Sequence, residues 1–434
     1  MYLPKAVHYC IQQLNNAGFS AYAVGGCVRD ALLGLTPHDY DLCTNALPRQ
    51  IQEVFASHPL VLNGVKHGTV GVIIDHENYE ITTFRTEGGY TDSRHPDWVR
   101  FVGTVEEDLA RRDFTVNAMA YNPLEGYIDP WGGQQDLKNK ILRTVGDPEQ
   151  RFTEDALRIL RGARFAVRFD LEPHPDTEKA MQKLCPTMES LAKERVFSEL
   201  CKLIVDINGS QLVRYAPIIT QAIPELAPCV GFLQHSRHHV HDVYTHTAHV
   251  VERTPKELTL RWAALLHDIG KPPCFTLDDQ GEGHFYGHAT VSAQMADAVL
   301  LRLKAPTALR QQVVQLIKLH MNPLQPDKKV LTRQLSKHGW DTMEKLLALQ
   351  KADFGAKTPD YSEVAALLEQ IREENTCLSS RDLAVNGKDL MALGVRPGPK
   401  MGQLLNKLLL QVQEDLLPNE KEHLIQFIKR EENL

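Results

Sequence analysis

The 434-residue chain has no uncharged apolar run of about 18 residues, the length a membrane-spanning helix needs, so no membrane partner is expected. Its first residues, MYLPKAVHYCIQQL, lack the basic stretch and apolar core of a secretory signal. Paired cysteines are missing as well. The eight stand singly at 10, 27, 43, 185, 201, 229, 274 and 377, with no C-x-x-C, so free thiols in a reducing cytoplasm are the expectation. Neither the Walker-A spacing nor G-x-G-x-x-G occurs, which argues against P-loop and Rossmann nucleotide sites. No internal repeat and no low-complexity tract is present. Positive charge is not in excess either. A net charge of -7 and a pI near 6.3 argue against a general nucleic-acid coater and leave room only for a local basic track.

What is present is ordinary globular composition, with 43% hydrophobic and 24% charged residues. The length exceeds one core and implies roughly two to four domains. From about 20 to 145 the segments FSAYAV, YDLCT, GTVGVII, YEITTF and VRFVGT are rich in β-branched and aromatic residues and separated by turns. VRDALL reads as a short helix entered from glycines and closed by Gly34. After about 150 the strand signal fades. TEDALRILRGARFAVRF, with a Thr N-cap and acidic first turn, reads as one long helix, and helical pattern continues to the end. The expected class is α+β: a small mixed sheet followed by an all-helical body, with breaks near 145, 225 and 355. The last stretch, DLLPNEKEHLIQFIKREENL, reads as a solvated helical tail.

The segment AVGGCVRDALLGLTPHDYDL (23–42) sets two glycines and Arg29 ahead of Asp39 and Asp41. At a strand start, residues two apart share one face, so two carboxylates repel unless a hard cation lies between them. Mg²⁺ takes one or two protein carboxylates and completes its shell with substrate phosphates, which reconciles acids with a phosphate site. Gly25 and Gly26, between a strand and a helix start, can offer backbone N–H groups to a triphosphate, and Arg29 adds charge. Glu80, in YEITTF, is the candidate third carboxylate.

GGCVRDALLG followed by HDYDL resembles the head of class II tRNA nucleotidyltransferases, the CCA-adding enzymes, and of the related bacterial poly(A) polymerases. The resemblance continues through YEITTFRTEGGYTDSRHPDWVRF, DLARRDFTVNAMAY, DPWGGQQDL, EDALRILRGARFAVRF and KERVFSEL, over about the first 205 residues. It implies a template-free polymerase, in which Arg111 and Arg112, with Asn117 as hydrogen-bonding partner, handle the triphosphate. It gives Asp155 and Arg158 of the EDxxR motif the reading of the base. Three apart on a helix, they are neighbours, and Arg donors with Asp acceptors match the pairing edges of cytosine and adenine. Arg161 and Arg164 continue that row toward the nucleotide or the RNA end. With Arg158 and Arg168 they form the expected basic track. The polar connection 85–97 corresponds to a loop that the family associates with adding the terminal A.

Further on, HSRHHVHDVYTHTAHVV (235–251) and LRWAALLHDIGKPP (260–273) resemble the HD phosphohydrolases, whose ligands follow the order H…HD…D. Matching positions are His246, His267, Asp268 and Asp353. His288 and His320 stand where some members bind a second metal, and Lys271 is the candidate phosphate contact. Imidazoles with carboxylates suit Mn, Fe, Ni, Co or Zn better than Mg.

The resemblances together imply a nucleotidyltransferase head (1–145), a helical neck for nucleotide selection and RNA binding (146–225), an HD domain (226–355) and a helical tail (356–434). They imply transfer of CMP and AMP from CTP and ATP to tRNA in the cytoplasm, with Mg²⁺ in the head. A transition metal in the HD region would serve 2′,3′-cyclic phosphodiesterase, phosphatase or 2′-nucleotidase action. A poly(A) polymerase, and an HD phosphohydrolase with a non-catalytic RNA-binding head, are the alternatives.

Overall fold

Lys5–Asn16 (α1) buries Val7, Cys10, Ile11 and Leu14, the one-faced spacing of an amphipathic helix, and lies against Ala21–Val24 (β1), all four of whose residues are buried. Gly26–Leu32 (α2) follows at once. Leu42–Thr44 (β2), Pro48–Val54 (α3), Leu60–Val61 (β3), Thr69–Ile74 (β4) and Glu77–Thr83 (β5) come next. Arg85–Gly88 (β6) and Trp98–Phe101 (β7) pair as a separate antiparallel ribbon. Val105–Ala110 (α4), Ala120–Asn122 (β8), Gly126–Ile128 (β9) and Gly133–Lys138 (α5) complete the sheet region.

The seven-stranded sheet has the order β3-β4-β5-β2-β1-β8-β9. Only β2 and β5 run parallel, with Leu42 opposite Ile81; the other neighbours are antiparallel. Tyr22 and Val24 pack with Cys43, Phe84, Val105 and Leu109. The fully buried β1 and β2 therefore hold the ends of 25–41 in place, and that segment carries the glycines and the acidic pair.

The computed structural model describes residues 1–88, 98–235, 241–355, 361–374 and 376–432. Most of the connection 85–97 lies outside the described residues. Contacts divide the chain into two units, 1–227 with 302–305, and 228–301 with 306–434. The expected break near 225 falls beside this division, while 145 and 355 fall inside the units.

In the first unit a two-residue parallel pair, Ile141–Leu142 (β10) and Glu172–Pro173 (β11), brackets Pro148–Glu154 (α6) and Leu157–Arg168 (α7). Pro175–Leu184 (α8), Lys193–Asp206 (α9), Gly209–Arg214 (α10) and Ala216–Ala222 (α11) follow, and α9 packs on α7. The single long helix expected from TEDALRILRGARFAVRF is in fact two. Thr153 is no N-cap: its hydroxyl donates to the Glu149 carbonyl inside α6, whose cap is Asp147. The chain breaks at Asp155 (φ -146°, ψ 103°), whose carboxylate accepts from the Leu157 N–H. An aspartate competing for nearby backbone donors explains the break.

The second unit is built from Val243–Arg253 (α12), Leu258–Leu266 (α13), the hairpin Thr276–Leu277 (β12) with Gly283–His284 (β13), His288–Arg302 (α14), Thr307–Leu319 (α15), Lys328–His338 (α16) and Trp340–Phe354 (α17). Every residue of α13 from Thr259 to Leu266 is buried, as befits a helix enclosed by α12, α15 and α17. Tyr361–Glu373 (α18), Gly387–Ala392 (α19), Pro399–Gln413 (α20) and Lys421–Glu432 (α21) end the chain. The expected solvated tail is corrected here. Leu424 and Ile428 of α21, one helical turn apart, are fully buried with Val385, Leu390 and Leu408 in a core of their own.

Candidate functional site

A cavity of about 490 Å³ in the first unit is lined by residues from four stretches: Gly26, Arg29 and Asp41; Arg111, Arg112, Asp113 and Asn117; Asp155, Leu157, Arg158, Arg161, Arg164 and Phe165; and Arg195. Asp39 and Asp41 precede β2 rather than starting it. Burial pushes the Asp41 carboxyl up, and the charge of Asp39 adds to this against the pull of Arg112. Two carboxylates working against each other are what a cation relieves. Glu80 is exposed on β5 and is not part of the lining.

Gly25 acts differently from the expected phosphate donor. Its N–H donates to the Met119 carbonyl at 3.0 Å, so it is not free for a ligand. Its φ is +77°, and a Cβ there would lie 2.7 Å from Arg112 Nη1. The glycine makes room for a guanidinium. Gly25→Ala is therefore expected to cost about 1–3 kcal/mol in backbone strain alone. It should also weaken anion binding in the cavity by displacing Arg112, which thermal unfolding and a binding titration will read separately.

The arginines are held in advance by acids. Asp108, 1% exposed, accepts from Arg111 Nε at 3.0 Å and Arg112 Nη2 at 3.3 Å, as well as from the Arg85 N–H. Burial opposes its charge, but the two arginines keep its carboxyl below the usual range. Arg161 reaches Asp113 through Nε (2.9 Å) and Nη2 (2.7 Å). Asp113 also accepts from the Asn117 amide at 3.0 Å, and Asn117 accepts from Arg29. This chain of bonds joins α7 to α2. Burial works against charge on Asp113, and Arg161 nonetheless holds it far below normal. Arg164 is paired with Glu199 of α9. Arg29, also bonded to Asp30, lies 4.2 Å over the Phe169 ring, and burial lowers its pKa.

Asp155 and Arg158 both line the cavity without bonding each other through their side chains. Arg158 Nη1 donates to Glu154 (2.7 Å) and the Arg151 carbonyl (3.1 Å), and Nη2 donates to the Arg111 carbonyl (3.1 Å). Asp155 accepts from Arg195 Nη2 at 2.8 Å and from the Leu157 N–H at 3.0 Å. Each side chain is oriented by these bonds, yet keeps unused capacity, donors on Arg158 and lone pairs on Asp155. Arg195 and Glu199 were not singled out from the sequence, although both lie in KERVFSEL. Asp113, in RRDF, was also missed.

The second unit gathers the histidines. His246 stands on α12, His267 and Asp268 at the end of α13, His288 at the start of α14, His320 just past α15 and Asp353 on α17. Ligand atoms of His246, His267 and Asp268 lie within 4.8 Å of one another, and so do those of Asp268, His288 and His320. His246 Nε2 is 3.0 Å from Asp353 Oδ1. His267, His288 and His320 each set Nδ1 on the carbonyl three residues earlier, at 2.8, 2.8 and 2.6 Å. A carbonyl only accepts, so each Nδ1 carries the hydrogen and Nε2 presents its lone pair. Those three Nε2 atoms are buried without a hydrogen-bond partner, and they surround the Asp268 carboxylate, whose Oδ2 has the Lys271 amine at 2.8 Å. Lone pairs from three rings and a carboxylate meeting in one place are a donor set for a metal cation. Lys271, the expected phosphate contact, lines the cavity beside this cluster. The residue is buried, with its amine on Asp268 at 2.8 Å and Gln234 at 2.9 Å.

Three family models match the chain. The poly A polymerase head domain covers residues 21–143, the "Probable RNA and SrmB-binding site of polymerase A" covers 170–228, and tRNA nucleotidyltransferase domain 2 covers 285–428. The CCA-adding enzyme of Streptococcus suis (strain 05ZYH33) is 34% identical over 96% of this chain and 94% of its own. That of Ligilactobacillus salivarius (strain UCC118) is 34% identical over 97% and 95%. The chain belongs to the CCA-adding enzymes. It is a nucleotidyltransferase of that family. The CCA-adding enzyme of Bacillus stearothermophilus, solved in complex with CTP, aligns over 100% of both chains with a TM-score of 0.72 and 28% identity. The Thermotoga maritima CCA-adding enzyme complexed with tRNA_CCA shares the fold, with a TM-score of 0.59 at 20% identity over 99% and 96% of the two chains. The described residues of this CCA-adding family member include no helix long and apolar enough to cross a membrane.

Proposed function

We propose that the chain adds C, C and A in turn to the 3′ end of tRNA, taking CMP from CTP and AMP from ATP without a template. The reading is carried by one observation: Asp41, the arginines and the Asp155–Arg158 pair line the same cavity. Asp39 and Asp41 would hold Mg²⁺, which when bound neutralises the triphosphate and polarises the α-phosphate. Arg111 and Arg112, pre-set by Asp108, meet the β- and γ-phosphates beside Gly26. Asp155 accepts from the exocyclic amine of cytosine or adenine, and Arg158 donates to the ring nitrogen beside it. Uracil and guanine present the opposite pattern, and each mismatch strands a polar group at a cost of roughly 1–3 kcal/mol. The tRNA 3′-hydroxyl attacks the α-phosphorus, a new phosphodiester forms, and the bond to pyrophosphate breaks. Arg195 is a positioning residue: its Nη2 donates to the Asp155 carboxylate and aims it as an acceptor. The B. stearothermophilus relative solved with CTP supports the same ligand here.

Incorporation assays on tRNAs ending before CCA, after C and after CC test this. Two C then one A, one C then one A, and one A alone are expected. A-tracts with no C incorporated would overturn it.

The buried histidine cluster supports a second activity. His246, His267, Asp268, His288, His320 and Asp353 would hold one or more transition metals, of the Mn, Fe, Ni, Co or Zn class, in a cavity of about 610 Å³. When bound, such a metal lowers the pKa of a bound water and neutralises a phosphate ester. Lys271 then neutralises and orients Asp268. The reading is phosphohydrolase action on RNA ends, as 2′,3′-cyclic phosphodiesterase, phosphatase or 2′-nucleotidase.

A further inference from the structure

The wall of the 610 Å³ cavity beside the histidine cluster carries an aromatic pair that no step so far uses. Tyr286 is 78% exposed and stacks on His284, with ring centroids 5.3 Å apart and planes 13° from parallel. An exposed tyrosine on a loop is by itself ordinary. This one is held in place. Asp278 fixes the His284 ring through Nε2 at 2.9 Å and also accepts the N–H groups of Gln280 and Glu282, closing the turn between β12 and β13. The residue between the two rings, Phe285, lines the same cavity. It packs on Phe275 at 5.5 Å, and Lys271 Nζ lies 5.4 Å from its ring centre.

The hairpin is tied to the cluster by backbone as well. Gly283 N–H donates to the His235 carbonyl at 2.8 Å, and a Cβ at Gly283 would meet the Gln234 carbonyl oxygen at 2.2 Å. Gln234 in turn accepts from Lys271, which is on Asp268. The stacked rings are thus joined to the metal-binding carboxylate through a short run of hydrogen bonds and one close approach. Arg253, an exposed cation at the end of α12, lines the same cavity. A flat π-face, a guanidinium and a metal donor set in one cavity make up the recognition set for a base, its phosphate and the bond to be cut. The volume is that of a nucleotide-sized site.

We propose that Tyr286, backed by His284, is a base-stacking shelf that makes this cavity selective for phosphate esters carrying a nucleobase, with Arg253 meeting the phosphate. The proposal rests on the metal-centre reading for the place of the phosphate, and on the hairpin alone for the place of the base. Stacking uses the π-face that every base has, so the shelf accepts any base.

The test titrates full-length protein with 2-aminopurine riboside 3′-monophosphate, and with a short single-stranded RNA ending in the same nucleotide, reading the quenching that accompanies stacking. Signal from the head cavity is common to all variants and subtracts out. Tyr286→Ala should weaken the remaining binding roughly 5- to 150-fold, the range of a single aromatic–base stack. Tyr286→Phe should restore it, because the ring and not the hydroxyl stacks. Whichever probe binds more tightly identifies the source, free nucleotide or RNA end. Metal content is measured on the same samples. Quenching in Tyr286→Ala equal to wild type, at normal metal content, overturns the shelf and leaves the metal centre standing. Tyr286-dependent quenching in protein that holds no metal keeps the shelf and removes the metal reading.

Discussion

Asp41→Asn should leave the fold intact and lower the rate of CMP incorporation by about a thousandfold or more, the effect of losing several kcal/mol of charge stabilisation at the reacting phosphate. Stability separates this from damage. Burial and Asp39 push the Asp41 carboxyl above its ordinary pKa. A raised carboxyl pKa means that the ionised form costs the folded state free energy at neutral pH, so the uncharged asparagine should unfold at the same temperature or higher. Asp108→Asn makes the contrast. Asp108 is buried, held below its ordinary pKa and bonded to two arginines, so its loss should lower the unfolding temperature. A full incorporation rate in Asp41→Asn would mean that the head is not the catalyst, and would revive the reading of a non-catalytic RNA-binding head.

Much of this site was legible because its signals are local. Two glycines, an aspartate pair two apart and an EDxxR run mark the chemistry within a few residues. The structure nonetheless sets Asp39 and Asp41 ahead of β2 and Asp155 at a helix break, rather than on a shared strand or helix face. The ion pairs were not legible, because each joins distant parts of the chain. Nothing in RRDF says that Asp113 will take Arg161, and nothing in EDALR says that Asp155 will take Arg195. Pairing of that kind is decided by how α9 packs on α7 and how α7 meets the head, which no short window contains. The break at Asp155 was hidden for a different reason. The residues on both sides favour helix, and one side-chain-to-backbone bond outweighs them. Gly25 is not in the cavity lining, its N–H is taken by the Met119 carbonyl, and its lack of a side chain makes room for Arg112. At the C-terminus the charges drew attention from Leu424 and Ile428, which share one face of α21 and close a small core.

The second large effect is expected at Asp268, where the two triads of donors overlap. Its carboxylate is 2% exposed and lies 3.2 Å from His267 Nε2, 3.3 Å from His288 Nε2 and 3.5 Å from His246 Nε2. Asp268→Asn keeps the shape and removes the charge that makes this place attractive to a cation, so bound transition metal should fall by more than about 100-fold, beyond the effect of a supporting residue. Hydrolysis of a 2′,3′-cyclic nucleotide should fall with it. CMP incorporation should not change, because the head residues belong to the other unit. The single substitution also strands the Lys271 amine, which is buried and would keep only Gln234 as a partner. Breaking a buried pair costs about 3–5 kcal/mol, so a poorly folded variant could mimic metal loss. The double variant Asp268→Asn, Lys271→Met removes that stranded charge. It should recover the unfolding temperature while still failing to hold metal, as read by elemental analysis after dialysis. Wild-type metal content in the folded double variant would show that Asp268 is a structural acid and that the histidines around it are not a metal centre.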